Sequence, residues 1–312
     1  MLKRIVHIIT VWLLVSAGAK AQYEVAFSHY FDMETAFNPA AAGKESKLNI
    51  TGAYASDFTG FEHNPRTAYL AADAPFRLLN ANHGAGASFM SDKIGLFTHQ
   101  RITLQYAFHQ PLWGGTLALG AQLGFLGETF DGSRLDAGQQ NDPALPTMQV
   151  NGSSFDMALG LYYKYRTWYA GLSALHINTP TPQLGTNNEL KITPVYYLTG
   201  GYNIKLRNPF LKILPTVLLR TDGTTHRADI TGRLVYQTEN RFLYGGLGYS
   251  PTRSVTVLVG GSFHSVHVGY SYEMYTSTLH PGNGSHELFV SYMMDIDIAK
   301  KGRNKHQSVR IL

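Results

Sequence analysis

The sequence contains no cysteine, which removes disulfides, thiolate metal sites and thiol nucleophiles together. Charge is scarce, with Asp, Glu, Lys and Arg making up 15% of the 312 residues. Beyond the amino-terminal leader no run reaches the roughly 18 apolar residues of a membrane helix, so no helical span is encoded. The motifs of common enzymes are missing too: there is no Gly-x-Ser-x-Gly, no phosphate loop and no His-Glu-x-x-His. What is plentiful is glycine, tyrosine and phenylalanine, a small-and-aromatic composition suited to strands in a bilayer.

The first residues read as an export signal, 1–21. Lys3 and Arg4 give a positive start, 5–17 is almost wholly apolar, and Ala19-Lys20-Ala21 places small residues for cleavage before Gln22. With Gln22 rather than Cys at the new terminus, a lipidated amino terminus is not expected. The net charge of +5 is unevenly spread. Three positive charges, Lys3, Arg4 and Lys20, leave with the signal, and five more, Lys300, Lys301, Arg303, Lys305 and Arg310, follow the last acid, Asp297. The stretch between them is therefore net −3, and the basic pI comes from a tail at 298–312. A nucleic-acid partner is not required.

Period-two alternation dominates the mature chain. Leu117, Leu119, Ala121, Leu123 and Phe125 share one face, and Thr116, Ala118, Gly120, Gln122 and Gly124 share the other. Ile102, Leu104, Tyr106 and Phe108 repeat the pattern against Arg101, Thr103, Gln105 and His109, as do Ile230, Leu234 and Tyr236 against Asp229, Thr231, Arg233 and Gln237. The spacing predicts fourteen strands near 48–56, 66–74, 84–91, 98–110, 115–129, 153–165, 168–176, 194–206, 210–221, 228–238, 242–250, 254–262, 265–275 and 286–295. Several reach the length a tilted membrane strand needs, and short turns mostly alternate with long polar connections. The fold expected is an all-β transmembrane antiparallel barrel over 47–297, with both termini on the periplasmic side. Two connections break the alternation: 75–83 reads as long where it should be short, and Pro251-Thr252-Arg253 is short where it should be long. Tyr162, Tyr163, Tyr165, Trp168 and Tyr169 flank a tight turn and read as part of an interfacial aromatic girdle. Residues 22–46 are not strand-like; Asn38-Pro39-Ala40-Ala41-Ala42-Gly43 is turn chemistry, and this segment is a candidate lumen plug.

Little chemistry survives inspection, and no cofactor or catalytic residue is expected. Ser173 with His176, and Ser265 with His267, are sequence neighbours of the kind an outer-membrane hydrolase would use, but thirteen histidines make such pairs easy. Asp131, Asp136 and Asp142 in the connection near 130–152 fit no calcium loop and read as solvated acids. Gly84-Ala85-Gly86 is better read as relief of crowding on the wall than as a phosphate cradle. Arg101, Asp229 and Arg233 point inward, to brace the lumen or tune its selectivity.

The ordered set of short motifs resembles the PorP/SprF family of the Bacteroidetes type IX secretion and gliding machinery. It opens with Phe27-Ser28-His29-Tyr30-Phe31 and then Asn38, Pro39 and Ala40 up to Gly43. Gly84 to Gly86 with Asp92-Lys93-Ile94-Gly95 follow, then Tyr106 to His109, Tyr169 to Ser173, Gly269 to Tyr272, and Gly284-Ser285-His286-Glu287 before the last strand. Glu273 stands where the family more often has Asp, and Ala41 where it more often has an aromatic. The resemblance implies a non-enzymatic outer-membrane protein surrounded by lipid. It further implies partners: a secreted surface protein with a type IX carboxy-terminal domain, an OmpA-like peptidoglycan-binding protein and ring lipoproteins of the periplasm. Connections near 130–152, 177–193 and 276–285 are then expected to face the exported protein, and the basic tail a periplasmic partner. The competing reading is a fourteen-stranded uptake channel for small apolar ligands, of the fatty-acid-transporter type.

Overall fold

The computed structural model describes residues 24–134, 148–185, 188–239, 241–276 and 282–296. The expected export signal at 1–21, Asp136, Asp142 and the tail residues Lys300, Lys301, Arg303, Lys305 and Arg310 lie outside the described residues.

Fourteen antiparallel strands close into a barrel. They are β1 (Lys47–Ser56), β2 (Arg66–Leu78), β3 (Ala81–Ile94), β4 (Phe97–Leu112), β5 (Gly115–Asp131), β6 (Gln149–Tyr165) and β7 (Trp168–Leu175). After them come β8 (Val195–Tyr202, resuming at Ile204–Lys205), β9 (Leu211–Thr221), β10 (His226–Gln237), β11 (Arg241–Ser250), β12 (Ser254–Phe263), β13 (Val266–Tyr275) and β14 (Ser285–Asp295). Each strand pairs with its sequence neighbour, and β1 pairs with β14 from Lys47↔Asp295 to Ser56↔His286, so no edge is left open. The break in β8 has a local cause. Extending the register Gly201↔Thr216 brings Tyr202 opposite Pro215, which has no N–H to give, and pairing resumes at Ile204↔Ile213.

The alternation resolves into an inverted protein. On β4, Leu104 is 66% exposed while Thr103 is 1% exposed; the apolar row faces lipid and the polar row faces the lumen. Leu119, Leu123 and Phe125 on β5, and Ile230, Leu234 and Tyr236 on β10, continue the outer belt.

One rim carries only tight connections: 79–80, 113–114, 166–167, 206–210, 238–240 and 264–265. Leu79-Asn80 (φ 49° and 61°) and Trp113-Gly114 (φ 49° and 77°) are two-residue hairpins with both φ positive, the twist-matched geometry. The opposite rim carries 57–65, 132–148, 176–194 and 276–284, together with short links at 95–96, 222–225 and 251–253. The expected long connection at 75–83 is thus corrected. Phe76 to Leu78 and Ala81 to His83 continue the ladder, with Pro75 opposite Gly84. Asp92 likewise lies within β3, and only Gly95 and Leu96 join β3 to β4. Pro251 to Arg253 stays short, as read from the sequence.

The aromatic girdle splits by parity. Tyr163, Tyr165 and Trp168 cluster on the outer surface, with Trp168 5.5 Å from Tyr163 and 6.1 Å from Tyr165. Tyr162 instead faces inward, stacks on Tyr169 at 5.4 Å and packs on Ala40 and Ala118. Two of the five rings therefore belong to the lumen.

If the outer belt meets lipid, Leu104→Arg near the middle of β4 should lose about 2–4 kcal/mol of stability, read by denaturant unfolding in lipid vesicles. An unchanged midpoint would overturn the lipid-facing assignment.

Candidate functional site

Residues 24–46 run the length of the lumen. At the long-loop rim Glu24 meets Arg101 near the start of β4, His176 just past β7, and Arg220 near the end of β9. At the short-turn rim Glu45 pairs with Lys164, next to the end of β6. The first and last strands begin and end at the short-turn rim, whereas Glu24 lies at the opposite one.

Local sequence explains the path. Two single 3₁₀ turns, Glu34–Ala36 and Pro39–Ala41, keep the segment narrower than an α-helix. Asn38 begins the second: its Oδ1 accepts from the Ala40 N–H at 3.0 Å, and Pro39 supplies a fixed φ at the first position. Its amide donates outward to the wall carbonyls of Leu161 (3.1 Å) and Leu172 (3.4 Å). Gly43, at φ +66°, turns the chain toward β1, and its N–H donates to Asp73 at 2.8 Å.

The wall is carved to receive this backbone. A Cβ on Gly84 would overlap the Ala42 carbonyl, one on Gly120 would overlap Ala40, and one on Gly160 would overlap the Asn38 side chain. On Gly269 it would lie 2.6 Å from His29 Nε2, and on Gly171 2.9 Å from Asn38 Nδ2. Polar groups of the wall then satisfy plug carbonyls: His109 Nε2 donates to Ala42 O at 2.9 Å, Gln105 to Thr35 O at 2.8 Å, and Ser173 to Phe37 O at 2.6 Å. An unpaired backbone carbonyl in this buried setting would cost about 1–3 kcal/mol.

Besides Glu45–Lys164 and Gly43–Asp73, three charged contacts hold the segment. Glu287 accepts the N–H groups of Ser28 (2.7 Å) and His29 (3.0 Å) and the His29 ring N–H (2.7 Å). Arg233 lies 3.3 Å above the Phe31 ring and 3.8 Å from Asp32. Glu24 receives Arg101 at 2.7 Å and His176 at 2.6 Å, while the other ring nitrogen of His176 meets Asp156 at 2.8 Å. Burial opposes the charge on Glu24, but Arg101, the His176 hydrogen bond and charge, and Arg220 outweigh it and hold the carboxyl down at about 2. Burial likewise opposes protonation of His176, yet its bonds to Asp156 and Glu24 push it up to about 9.

The residues singled out from sequence fall in three places. Asn38, Pro39, Gly43, Gly84 and Glu287 form the plug–wall contact, and Gly86 abuts Asp73 and Gln105 beside it. Asp92 accepts from Thr67 at 2.7 Å within the wall, and Gly95 (φ +59°) makes the link to β4. Gly284, Ser285 and His286 tie the rim. Gly284 O accepts from Thr59 N at 2.8 Å, Ser285 Oγ accepts from Phe58 N at 3.1 Å, and His286 meets Tyr270 OH at 2.6 Å on the outer side. Arg101 and Arg233 bind the plug, while Asp229 is held by Arg227 at 2.7 Å and by Ser250. The serine–histidine neighbours are not brought together: Ser173 bonds Phe37, His176 bonds two carboxylates, and Ser265 is exposed on a turn while His267 is buried among rings. Asp131 accepts from Ser133 at 2.5 Å. Sequence reasoning passed over Glu24, Gly120 and Gly160. The signal was available in the last two, which fall on the inward parity of long strands.

Compared with known proteins, the chain matches the family model described as type IX secretion system membrane protein PorP/SprF over residues 19–292. No curated protein matches it. Among solved structures it is similar to the CymD monoaromatic hydrocarbon channel, with 11% identity over 89% of this chain and 96% of that one and a TM-score of 0.49. It is also similar to the Pseudomonas putida toluene transporter TodX (11% identity, 83% and 92% covered, TM-score 0.46). A Pseudomonas aeruginosa FadL homologue shows 8% identity, 80% and 89% coverage and a TM-score of 0.47.

Filling the carved groove should expel the plug and leave the barrel closed. In Gly120→Leu, hydrogen-exchange protection of 38–43 should fall at least ten-fold while heat-modifiable migration persists; retained protection would contradict the fit. The Glu24 clamp should also respond to alkali. His176 has a raised folded pKa, so its contribution is complete below its ordinary value of 6.5 and is lost as pH rises through about 9. Exchange at 24–30, corrected for intrinsic rate, should accelerate across that interval in the native chain and not in His176→Gln.

Proposed function

Because the chain belongs to the family of type IX secretion system membrane proteins PorP/SprF, we propose that it is a non-enzymatic outer-membrane scaffold of that machinery. It supports export or surface anchoring of proteins bearing type IX carboxy-terminal domains. The observation that carries this reading is the plug: residues 24–46 are bonded to the wall from one rim to the other, at Glu24–Arg101, Glu287–Ser28, Asn38–Leu161 and Glu45–Lys164. A lumen filled by its own chain leaves the rims as the working surfaces, so cargo is met by contact rather than conducted.

The rims differ as partner surfaces should. Short turns of outer-membrane barrels face the periplasm and long loops face outward, which directs the connections near 130–152, 177–193 and 276–285, joined on that rim by 57–65, to the exported protein. Within 176–194 a short hairpin, Gln183–Leu184 with Asn188–Glu189, folds back over Gly152 and buries Leu184 and Ile192. That leaves Thr181, Glu189 and Lys191 exposed for a partner. The short-turn rim and the tail beyond Asp297 face the periplasmic side, where an OmpA-like peptidoglycan-binding protein and ring lipoproteins are the partners expected. Five basic residues there favour an acidic partner surface. A channel for apolar ligands is disfavoured by the lining of a cavity of about 670 Å³ at the short-turn rim, where Asp32, Glu45, Lys47, Asn203 and Gln237 interrupt the apolar Phe242 and Met293.

Replacing Thr181, Glu189 and Lys191 together with Ala should reduce surface retention of the cognate exported protein at least several-fold, with barrel assembly unchanged on gels. Full retention would remove the loop from the contact. Truncation after Asp297 should separately release a periplasmic partner on co-purification; an unaltered set of partners would leave the tail merely solvated.

A further inference from the structure

The cations of the short-turn rim are gathered on one arc. Arg166, Arg207 and Arg241 sit at three consecutive turns of that rim, β6–β7, β8–β9 and β10–β11, and all three are exposed. The turns abut: Asn203 N donates to Thr167 O at 2.7 Å, and Gln237 N donates to Phe210 O at 2.8 Å. Lys205 and Lys212 flank the middle turn as direct cross-strand partners. Like charges in that position repel, and among the described residues no carboxylate pairs with any of these cations. Lys212 Nζ donates instead to Gln237 Oε1 at 2.8 Å, and Arg166 lies 5.2 Å over the Tyr165 ring. Among the described residues Glu239 is the acid of these turns, and it is exposed. The other turns of this rim, 79–80, 113–114 and 264–265, hold no Lys or Arg.

The outer wall beside the same arc carries rings. Trp168 stands opposite Tyr202 in the register, and Phe210 is 6.3 Å from Tyr236. These four are 39% to 51% exposed on the outward-facing surface. Arg241 belongs to the same outward row, opposite Phe263. Amphipathic rings settle at the headgroup level of a bilayer, and basic side chains at its surface attract anionic lipid.

We propose that this arc binds anionic phospholipid headgroups of the inner leaflet, with Arg166, Arg207 and Arg241 as the phosphate contacts. The leaflet follows from short turns facing the periplasm. A guanidinium presents a planar fork that matches phosphate oxygens, and an anion held at the middle turn relieves the repulsion between Lys205 and Lys212. An acidic protein would meet the tips of the turns, but gives no reason for rings on the lipid-facing wall beside them. Neighbouring turns are two strand spacings apart, about 10 Å or more, so each meets its own headgroup. Occupancy depends on the orientation of the barrel and on no exported partner.

Beyond Trp12 the chain has two tryptophans, Trp168 within the arc and Trp113 on a turn outside it. Mature single-tryptophan variants, Trp113→Phe and Trp168→Phe, are reconstituted in vesicles of phosphatidylcholine and phosphatidylglycerol in which one lipid or the other carries brominated chains. Quenching at Trp168 should show the anionic lipid enriched on the order of five-fold, the weight of one arginine near an anionic surface, with no enrichment at Trp113. Arg166→Gln, Arg207→Gln and Arg241→Gln together should abolish the preference while heat-modifiable migration is unchanged. Should that variant not fold, raising salt from about 0.1 M to about 1 M, which shortens screening from about 10 Å to about 3 Å, should remove most of the preference from the native arc. Equal quenching by the two lipids at Trp168 overturns the proposal, as does an enrichment matched at Trp113 or one that survives both the triple variant and salt. Equal quenching, with a periplasmic protein lost from co-purification in the triple variant, assigns the arc to an acidic partner and overturns it as well.

Discussion

The structure depends on one fit: a backbone threaded through a barrel must find both room and hydrogen-bond partners along the wall. Glycine provides the room at positions 84, 120, 160, 171 and 269, where a Cβ would overlap or crowd the plug. Gln105, His109 and Ser173 provide partners for its carbonyls, and Glu287 for its N–H groups. The plug has two single 3₁₀ turns and no other regular structure, and the wall without it would hold a lumen lined with Tyr30- and Phe37-sized gaps.

This fit explains why the chain's recognisable motifs are scattered yet ordered. Lipid asks only that the outer face be apolar, which Leu, Val, Ile, Phe and Tyr satisfy interchangeably. The inner face has to match particular atoms of one segment. Phe27 to Phe31 and Asn38 to Gly43 are that segment, and Gly84, His109, Gly171, Ser173, Gly269 and Glu287 touch it from five different strands. The apolar core is built the same way: Met33 at the centre of one cluster, Ala40 of another, and Tyr30, Phe31 and Phe37 of the third. A barrel braced in this manner keeps its rims fixed, as the proposed scaffold role requires.

Much of the wall was legible because strand parity is a local property. Arg101, Thr103 and Gln105 could be turned inward, and Ile102, Leu104 and Tyr106 outward, from spacing alone. The errors came where local signals mislead. The stretch opening at Pro75 read as a connection, although a strand tolerates proline where its missing N–H costs no ladder bond, and β2 runs on to Leu78. Tyr162 and Tyr169 read as girdle because aromatic rings near a turn usually are, but their parity places them inside. The Glu24 clamp was beyond reach, since it joins residues 77 and 152 positions apart and no local pattern encodes such pairs. Gly120 and Gly160 were visible and unread, because a glycine on the inward row states that something passes close without saying what.

The central claim is that the plug, held by these motif residues, closes the lumen of a scaffold rather than gating a pore. Single-channel recording in planar bilayers tests it most directly, comparing the mature chain with a variant lacking 24–45. The account predicts a near-silent native protein and a stable, ion-conducting pore in the deletion variant. A native protein that conducts as well as the deletion variant would contradict it.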